Sequence, residues 1–236
     1  MANSACISFA RRALSAQLVH GMRILEVGSL TRDLHRGIDP LDESSLGNPT
    51  GSIRGAVMAM RPREYVGIDL EPGPGVDVVC AVESLTDRFG AGSFNLVIAS
   101  ELLEHLRDWR GSLRQMAQVL APGGRMLITT RSWGFPVHRA PWDYWRYEPS
   151  DAARIFPGAL IELDPISPGI FVLTDCVASE LDDISLRSIL TSRRVANVGR
   201  GDSLRFVLGR PRLMASAVTP EVVKRVLRPL LPPPGY

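Results

Sequence analysis

A short apolar run, Met22-Arg-Ile-Leu-Glu-Val27, is followed directly by Gly28. Its length and apolar content predict a buried β-strand. A glycine at the end of such a strand allows a ligand to approach the backbone closely, because it has no Cβ atom. The run therefore predicts a sheet whose strand ends are open to a ligand.

Four further strand patterns follow along the chain and alternate with helical patterns. Strands that alternate with helices imply right-handed crossovers and a mostly parallel sheet. The near-continuous apolar character of Phe94–Ala99 is typical of a parallel strand covered on both faces. We therefore predict an α/β fold with a Rossmann-like, doubly wound and mostly parallel sheet. The predicted strands after the first are Tyr65–Asp69, Val76–Cys80, Phe94–Ala99 and Arg125–Thr130.

Helical patterns flank these strands. An amphipathic helix is expected before the first strand, and helices are expected over Glu101–Leu106 and Trp109–Leu120. The turn residues Ala121-Pro-Gly-Gly124 are typical of the end of a helix, so they separate the last of these helices from the fifth strand.

The second half of the chain is less regular. Leu160–Leu163 and Leu204–Leu208 resemble strands and are predicted to form an antiparallel hairpin-like pair at one edge of the sheet. A helix is expected between them, over Asp182–Leu190. We predict a single domain over residues 1–212, followed by an extended proline-rich tail over residues 213–236.

The composition is that of a globular protein of 236 residues. A formal net charge of +2 is too small to indicate a nucleic-acid partner. No apolar run approaches the roughly 20 residues that a transmembrane helix needs. The three cysteines are far apart in the sequence, so we expect reduced thiols in a cytoplasmic protein. No clustered set of Asp, Glu and His indicates a metal site, and a homodimer is compatible with the sequence.

Polar or small residues stand where the predicted strands end. Asp69 ends the second strand, where a carboxylate can accept hydrogen bonds from the two vicinal hydroxyls of a ribose. Ala81 and Val82 follow the third strand and offer a backbone amide and an apolar wall for an adenine ring. Ser100 and Glu101 follow the fourth. Because ligands bind beyond the carboxyl ends of strands in open α/β sheets, this order predicts a nucleoside site.

Four segments then occur in a recognisable order: Ile24–Ser29, Tyr65–Asp69, Phe94–His105 and Leu120–Arg125. They resemble the successive motifs of the class I methyltransferases, and in particular of the small-molecule group called methyltransferase type 11. The resemblance covers about Arg23 to Phe156.

The resemblance implies S-adenosylmethionine as the cofactor and a small molecule as the methyl acceptor. It places Asp69 on the ribose and the turn at Gly28 near the methionine part of the cofactor. The residues expected to bind the cofactor are Glu26, Gly28, Ser29, Gly51, Asp69, Leu70, Ala81, Val82, Ser100 and Glu101.

Two features depart from the pattern of this family. Its first loop usually carries several glycines, whereas Gly28 is followed here by Ser-Leu-Thr. We interpret residues 31–48 as an insertion, after which Gly51 restores the close approach of the backbone. Ala81 stands where many relatives have an aspartate that contacts adenine. These departures leave one alternative, a catalytically degenerate methyltransferase fold that serves as a binding or scaffold partner.

The candidate reaction residues follow the fourth and fifth strands. His105 lies one predicted helical turn after Glu101 and is a candidate general base. Residues 131–150 are predicted to cover the substrate, as the corresponding segments do in the family. Within them, His138 and Asp143 are candidate catalytic residues. The aromatic side chains predicted to contact the acceptor are Trp133, Trp142 and Tyr144.

The segment Pro141-Trp-Asp-Tyr-Trp-Arg146 is similar to segments of methyltransferases associated with glycan and natural-product pathways. This similarity favours O-methylation of a small molecule, a sugar or a secondary metabolite. A nicotinamide-dependent oxidoreductase would require a G-x-G-x-x-G loop after the first strand. Gly28 is not followed by that loop, so the sequence disfavours this second class of enzyme.

Overall fold

The structure is a computed structural model, and it describes residues 4–30, 52–138, 142–164 and 166–188. The predicted insertion at 31–48, Gly51, the predicted strand Leu204–Leu208 and the tail at 213–236 lie outside the described residues. The predicted domain boundary at residue 212 also lies outside them and stays a prediction.

In the described residues, nine strands form a large sheet and a small one. Four of the five strands predicted from the first half begin and end within two residues of the prediction, and β5 begins five residues earlier than predicted. The strands are β1 (Arg23–Val27), β2 (Glu64–Asp69), β3 (Val78–Val79), β4 (Phe94–Ser100), β5 (Leu120–Arg131), β6 (Trp145–Arg146), β7 (Leu160–Asp164), β8 (Gly169–Thr174) and β9 (Arg187–Ser188).

The large sheet has the strand order β3-β2-β1-β4-β5-β8-β7. β1 to β5 pair in parallel, and β8 pairs antiparallel with both β5 and β7. β6 and β9 form a separate antiparallel pair. This topology confirms the predicted α/β fold with a mostly parallel sheet and an antiparallel pair at its edge.

The partner of β7 in the edge pair is β8, a strand that the sequence analysis missed. The hairpin between them is closed at Asp164, whose Oδ1 accepts the backbone amides of Ile166 at 2.9 Å and Ser167 at 3.2 Å. Such an Asx turn reverses the chain within a few residues. β7 therefore finds its partner locally, in Gly169–Thr174.

Six α-helices and three short 3-10 turns precede or connect the strands in the part of the chain that the structure describes. No helix among the described residues has the length and apolar character needed to cross a bilayer. The helices are α1 (Ser4–Ala13), α2 (Ala16–Val19), α3 (Ile53–Met58), α4 (Leu85–Phe89), α5 (Trp109–Gln118) and α6 (Pro149–Ile155), and the 3-10 turns are Val82–Ser84, Leu103–His105 and Leu181–Asp183.

The predicted helix over Glu101–Leu106 is wrong. Glu101 has a left-handed backbone with φ of 53°, and only Leu103–His105 form a 3-10 turn. The Glu101 amide still donates to the carbonyl of Thr129 in β5 at 2.8 Å, so the chain leaves β4 by a sharp bend rather than by a helix. Glu101 and His105 consequently do not share a helical face.

The predicted helix over Asp182–Leu190 is also wrong in its described part. That part contains the 3-10 turn Leu181–Asp183 and then β9. The Arg110 guanidinium donates to the carbonyls of Leu181 and Ile184, which draws the segment onto α5. The Leu181 carbonyl also accepts the Ile184 amide at 3.1 Å, as in a single 3-10 turn, and the chain then continues as β9 instead of as a helix.

The sheet is covered by apolar residues on both faces, as its parallel strands require. One cluster joins the sheet to α1 and α3, and the other joins it to α5 and α6. The first includes Phe9, Ile24, Val57, Ile98, Leu127 and Phe171; the second includes Val97, Trp109, Leu113, Met116, Ile128 and Ile155.

Gly67 in β2 is a point of close approach between the strand and two loops. A Cβ atom at this position would lie against the carbonyl oxygen of Gly75 and at 2.7 Å from Ser29 Oγ. The Gly67 amide donates to Asp77 Oδ2 at 2.7 Å. A side chain at residue 67 would therefore displace the loops that follow β1 and β2.

We expect Gly67→Ala to destabilise the protein by about 2–3 kcal/mol, because the added methyl group overlaps backbone atoms. Gly21→Ala is the matched control. Gly21 has a φ of 75° but open space around its Cβ position, so it should lose only about 1 kcal/mol. Urea unfolding measures both values, and an equal or smaller loss at residue 67 would contradict the close approach.

Candidate functional site

The loop after β1 is fixed onto the end of β2. The amides of Gly28 and Ser29 both donate to the carbonyl of Ile68 at 2.9 Å. Gly28 has a φ of 77°, a conformation that favours glycine, and a Cβ atom there would lie 3.1 Å from Leu102. This arrangement leaves the backbone of the loop free of side chains at Gly28 and brings the segment after β4 beside it.

Asp69 closes β2 and holds the loops on either side of it. Its Oδ2 accepts the Leu30 amide at 3.1 Å, and its Oδ1 accepts the Leu70 amide at 2.8 Å. Each carboxylate oxygen has a second acceptor position. The carboxylate is therefore fixed in place and can still accept two hydroxyl groups, which fits the ribose of a nucleoside.

Apolar side chains lie at the ends of β2 and β3. Leu70 is 71% exposed and Val79 is 56% exposed, whereas Val82 is buried. Ala81 caps the 3-10 turn that begins at Val82 without a side-chain hydrogen bond. These residues supply apolar surface and backbone amides beside Asp69, and no carboxylate at residue 81.

Glu26 lies in β1, where the Tyr65 hydroxyl donates to its Oε2 at 2.9 Å. Burial raises the pKa of the Glu26 carboxyl to about 7, although the Tyr65 hydrogen bond and the Arg54 charge oppose this rise. Arg54 is held by both carboxylate oxygens of Asp77 at 3.0 and 3.2 Å. The Glu26 carboxyl thus titrates near neutral pH.

Glu101 is tied to the protein on several sides. Its carboxylate forms an ion pair with Arg131 and accepts hydrogen bonds from Thr129 Oγ1 at 3.2 Å and Cys6 Sγ at 3.6 Å. Burial raises its pKa to about 7, and the nearby Glu104 carboxylate adds to this rise. The neighbouring Ser100 hydroxyl lies 3.0 Å from Thr129 Oγ1. Contact of Glu101 with the cofactor stays a prediction.

Three side chains meet next to this segment, and we call Glu104, His105 and His138 the polar cluster. One candidate ligand atom of each lies within 4.8 Å of the others. The two imidazole rings pack edge to face, with centroids 4.7 Å apart. Each Nε2 lies 3.9 Å from Glu104 Oε1. The fold therefore unites two predicted catalytic histidines around a carboxylate that the sequence analysis did not select.

Asp143 contacts both the backbone and the ring of His138. Its Oδ2 accepts the His138 amide at 2.8 Å and lies 3.0 Å from His138 Nδ1. The Arg146 guanidinium donates to both Asp143 oxygens, at 2.6 and 2.8 Å. Burial favours a higher pKa for Asp143, but the hydrogen bonds from Arg146 and His138 hold it well below its usual range. Asp143 is buried, and its predicted catalytic role stays a prediction.

The three predicted aromatic contacts have different surroundings. Trp142 is 63% exposed, and its carbonyl lies 2.7 Å from His105 Nδ1. The Tyr144 amide donates to the Glu104 carbonyl at 2.8 Å, which draws this segment onto the polar cluster. Trp133 is half-buried. Substrate contact by these residues stays a prediction.

Sequence reasoning missed Glu104, Arg131 and Arg146 as residues of the site. Glu104 and Arg146 both lie inside segments that carried the family resemblance, next to His105 and close to Asp143. Their position next to predicted site residues was the signal that could have identified them. Arg131 ends β5 and lacks such a neighbour in sequence, so only the fold relates it to Glu101.

The family model for the methyltransferase domain matches residues 3–158, which is more than half of the chain. The chain belongs to this family. It is an S-adenosylmethionine-dependent methyltransferase domain of class I, as the order of its motifs and the topology of its sheet predict.

Two relatives and one solved structure illustrate the similarity. The human mitochondrial ubiquinone biosynthesis O-methyltransferase is 35% identical over 120 residues, which cover 47% of this chain and 29% of that protein. The Bradyrhizobium enzyme of the same name is 28% identical over 134 residues, which cover 56% and 49%. This chain therefore spans about half the length of the second relative and less of the first.

The solved structure is that of the Burkholderia thailandensis 1,6-didemethyltoxoflavin-N1-methyltransferase with bound 1,6-didemethyltoxoflavin and S-adenosylhomocysteine. It has 16% sequence identity and a TM-score of 0.47, and the match covers 72% of this chain and 77% of that one.

Glu26→Gln is expected to stabilise the protein at alkaline pH and to leave it unchanged at pH 4. The raised pKa means that the folded state keeps the Glu26 proton up to about pH 7, whereas the unfolded chain releases it near 4.5. The contribution of protonated Glu26 to stability is thus fully present below pH 4.5 and is lost as the pH rises through 7. The gain at pH 8 should be about 1–3 kcal/mol, measured by urea unfolding.

Glu64→Gln on the adjacent strand is the control. Glu64 is exposed and pairs with Arg23, so its replacement should give no gain at pH 8. If Glu26→Gln has the same effect at pH 4 and pH 8, the buried carboxyl does not titrate as described.

Proposed function

We propose that this domain transfers the methyl group of S-adenosylmethionine to a hydroxyl oxygen of a small molecule. The observation that carries the proposal is the polar cluster, in which two imidazoles turn their Nε2 atoms toward one point. That point lies beside the loop after β1, since Leu102 packs at Gly28 and Glu104 and His105 follow Leu102 closely. A hydroxyl acceptor needs a proton acceptor at this position.

We call the loops that follow the carboxyl ends of the parallel strands the rim. In this proposal the rim binds the cofactor through backbone groups and through one carboxylate. Asp69 accepts the ribose hydroxyls, Gly28 and Ser29 lie against the methionine part, and Ala81 and Val82 lie against adenine. When bound, the cofactor supplies an electrophilic methyl group. The chain's own contribution is alignment of this group with the acceptor oxygen, which lowers the barrier of an in-line displacement.

The acceptor proton passes to an imidazole of the polar cluster. His138 is the stronger candidate because Asp143 fixes its orientation, and a carboxylate at Nδ1 stabilises the imidazolium that forms. His105 is fixed in the same way by the neutral carbonyl of Trp142. Asp143 is thus a positioning residue, and its own hold on Arg146 keeps it ionised.

The acceptor is a hydroxylated small molecule with a ring, such as a phenolic secondary metabolite or a sugar. The exposed indole of Trp142 beside His105 offers a surface on which a ring can stack. The relatives reported above are named as O-methyltransferases, which supports oxygen as the acceptor atom.

Asp69→Ala is expected to weaken S-adenosylmethionine binding by one to two orders of magnitude, from the loss of about 1.5–3 kcal/mol of hydrogen bonding to a charged group. Asp69→Asn should lose less, because one acceptor oxygen remains. Isothermal titration calorimetry measures both. Asp87→Ala, an exposed carboxylate in α4, serves as the control. Unchanged affinity in both Asp69 variants would show that Asp69 does not bind the ribose.

His138→Gln is expected to lower kcat by about 10²- to 10⁴-fold and to leave cofactor affinity unchanged, because general-base catalysis contributes that much. The measurement is release of S-adenosylhomocysteine with a panel of catechols, phenols and sugars. His20→Gln is the matched control, since His20 is exposed at the end of α2. A kcat equal to that of the unmodified enzyme would show that His138 is not the general base.

A further inference from the structure

The return of the chain after β5 is built around one buried side chain, that of Arg146, which is 1% exposed. We give the name return segment to the described residues around it, 135–138 and 142–146. The Arg146 Nε donates to the Phe135 carbonyl at 3.3 Å, and its Nη2 donates to the Pro136 carbonyl at 3.1 Å. Its Nη1 donates to the Trp145 carbonyl at 2.7 Å. The guanidinium therefore binds backbone at both ends of the segment.

The same guanidinium binds the Asp143 carboxylate with two parallel hydrogen bonds. Nη1 donates to Oδ1 at 2.6 Å, and Nη2 donates to Oδ2 at 2.8 Å. With the three bonds to carbonyls, each of the five N–H groups of Arg146 has an acceptor. A buried guanidinium that is satisfied in this way holds all of its acceptors in one arrangement.

The position of this guanidinium is set by the residues on either side of Arg146. The Trp145 indole donates to the Leu106 carbonyl at 2.8 Å. The Tyr147 amide donates to the carbonyl of Arg131, the last residue of β5, at 3.0 Å. Because both neighbours are bound to other parts of the fold, Arg146 is a fixed point onto which the rest of the return segment folds.

Two routes lead from Arg146 to His138. The first is the Asp143 carboxylate, whose Oδ2 accepts the His138 amide at 2.8 Å. The second is Phe135, whose ring packs edge to face against the His138 imidazole with centroids 5.2 Å apart. The positions of the backbone and of the ring of His138 therefore both depend on groups that Arg146 holds.

We propose that Arg146 is the positioning residue of the acceptor site, and that its guanidinium folds the return segment into the wall that carries His138. The need is for the shape of the group as well as for its charge. A lysine has the same charge, but its three donors lie on one nitrogen and cannot span both ends of the segment. Because bonds within the chain order this wall, acceptor binding does not have to supply the cost of ordering it.

Arg146→Lys tests the order of the return segment, and the measurement needs no acceptor. We expect the amides of His138 and Tyr144 to exchange with deuterium about tenfold faster or more, because exchange follows the free energy of local opening. The Tyr144 amide donates to the Glu104 carbonyl, so it reports on the other side of the segment. Nuclear magnetic resonance of the full chain measures both rates.

Arg23→Lys is the matched control. Arg23 also binds a carboxylate and a backbone carbonyl, those of Glu64 and Ser93, and lies over the Phe94 ring, but it does so at the amino end of β1. Its replacement should leave the exchange of the His138 amide unchanged. Unchanged exchange at His138 in a folded Arg146→Lys protein would overturn the proposal.

Asp143→Asn keeps the proposal testable if Arg146→Lys does not fold. It leaves the carbonyl bonds of Arg146 in place and replaces one carboxylate oxygen by an amide, so the His138 amide should still exchange faster. Circular dichroism checks folding. Affinity for S-adenosylmethionine should stay within about twofold in each variant, since their bonds lie within the return segment. Normal exchange at His138 in Asp143→Asn, with an unfolded Arg146→Lys, would also contradict the proposed role.

Kinetics distinguish positioning from a general loss of stability. With an acceptor from the panel, Arg146→Lys should lower kcat by about 10- to 100-fold, because a small displacement of a reacting group has an effect of this size. In the His138→Gln background the same substitution should lower kcat by less than about twofold, since no imidazole is left to position. An equal loss of kcat in both backgrounds would mean that Arg146 does not act through His138.

This inference rests on the proposed function, but the two can fail separately. If the exchange rates change as expected and no hydroxyl acceptor in the panel is methylated, Arg146 orders the return segment and the proposed function is wrong. If a hydroxyl acceptor is methylated and Arg146→Lys changes neither exchange nor kcat, the role of Arg146 is wrong and the O-methyltransferase stands.

Discussion

The structure depends on the parallel pairing of β1 with both β2 and β4. The register sets Val27 opposite Ile68 on one side and Ala99 on the other, so the three strands end level with one another. The hydrogen bonding does not stop there, because amides of the loop after β1 continue onto the Ile68 carbonyl and the Asp69 carboxylate. The rim is therefore an extension of the sheet and shares its rigidity.

The two halves of this rim differ in their electrostatics. On the side of β1 and β2, the polar groups are backbone amides, the Asp69 carboxylate, the Glu26 carboxyl and the Arg54–Asp77 ion pair. On the side of β4 and β5, buried ionised groups crowd together. Arg131 illustrates this crowding, since it pairs with Glu101 and also lies over the Phe135 ring at 3.8 Å. The ion pairs on the side of β4 and β5 are therefore the more deeply buried ones.

The sequence predicted the parallel strands because their apolar runs are local and covered on both faces. It predicted a nucleoside site at the ends of these strands, because ligands bind beyond the carboxyl ends of strands in this class of fold. The bend at Glu101 was not predictable from its residue type, since a tertiary hydrogen bond to β5 overrides the helical pattern. The meeting of Glu104 with His138 likewise depends on the return of the chain after β5, which the Asp143–Arg146 pair and the Tyr144 amide fix.

The amino-terminal helix is more than a cover for one face of the sheet. Cys6 in α1 reaches the Glu101 carboxylate, Phe9 stacks against Phe171 of β8, and Arg12 pairs with Glu162 of β7. The helix thus links the bend after β4 to the outermost strand of the sheet. A shortened version of this protein that begins at the first strand would lose these three contacts, so the bend after β4 and the strand pair β7–β8 would no longer be held to one another through a common helix.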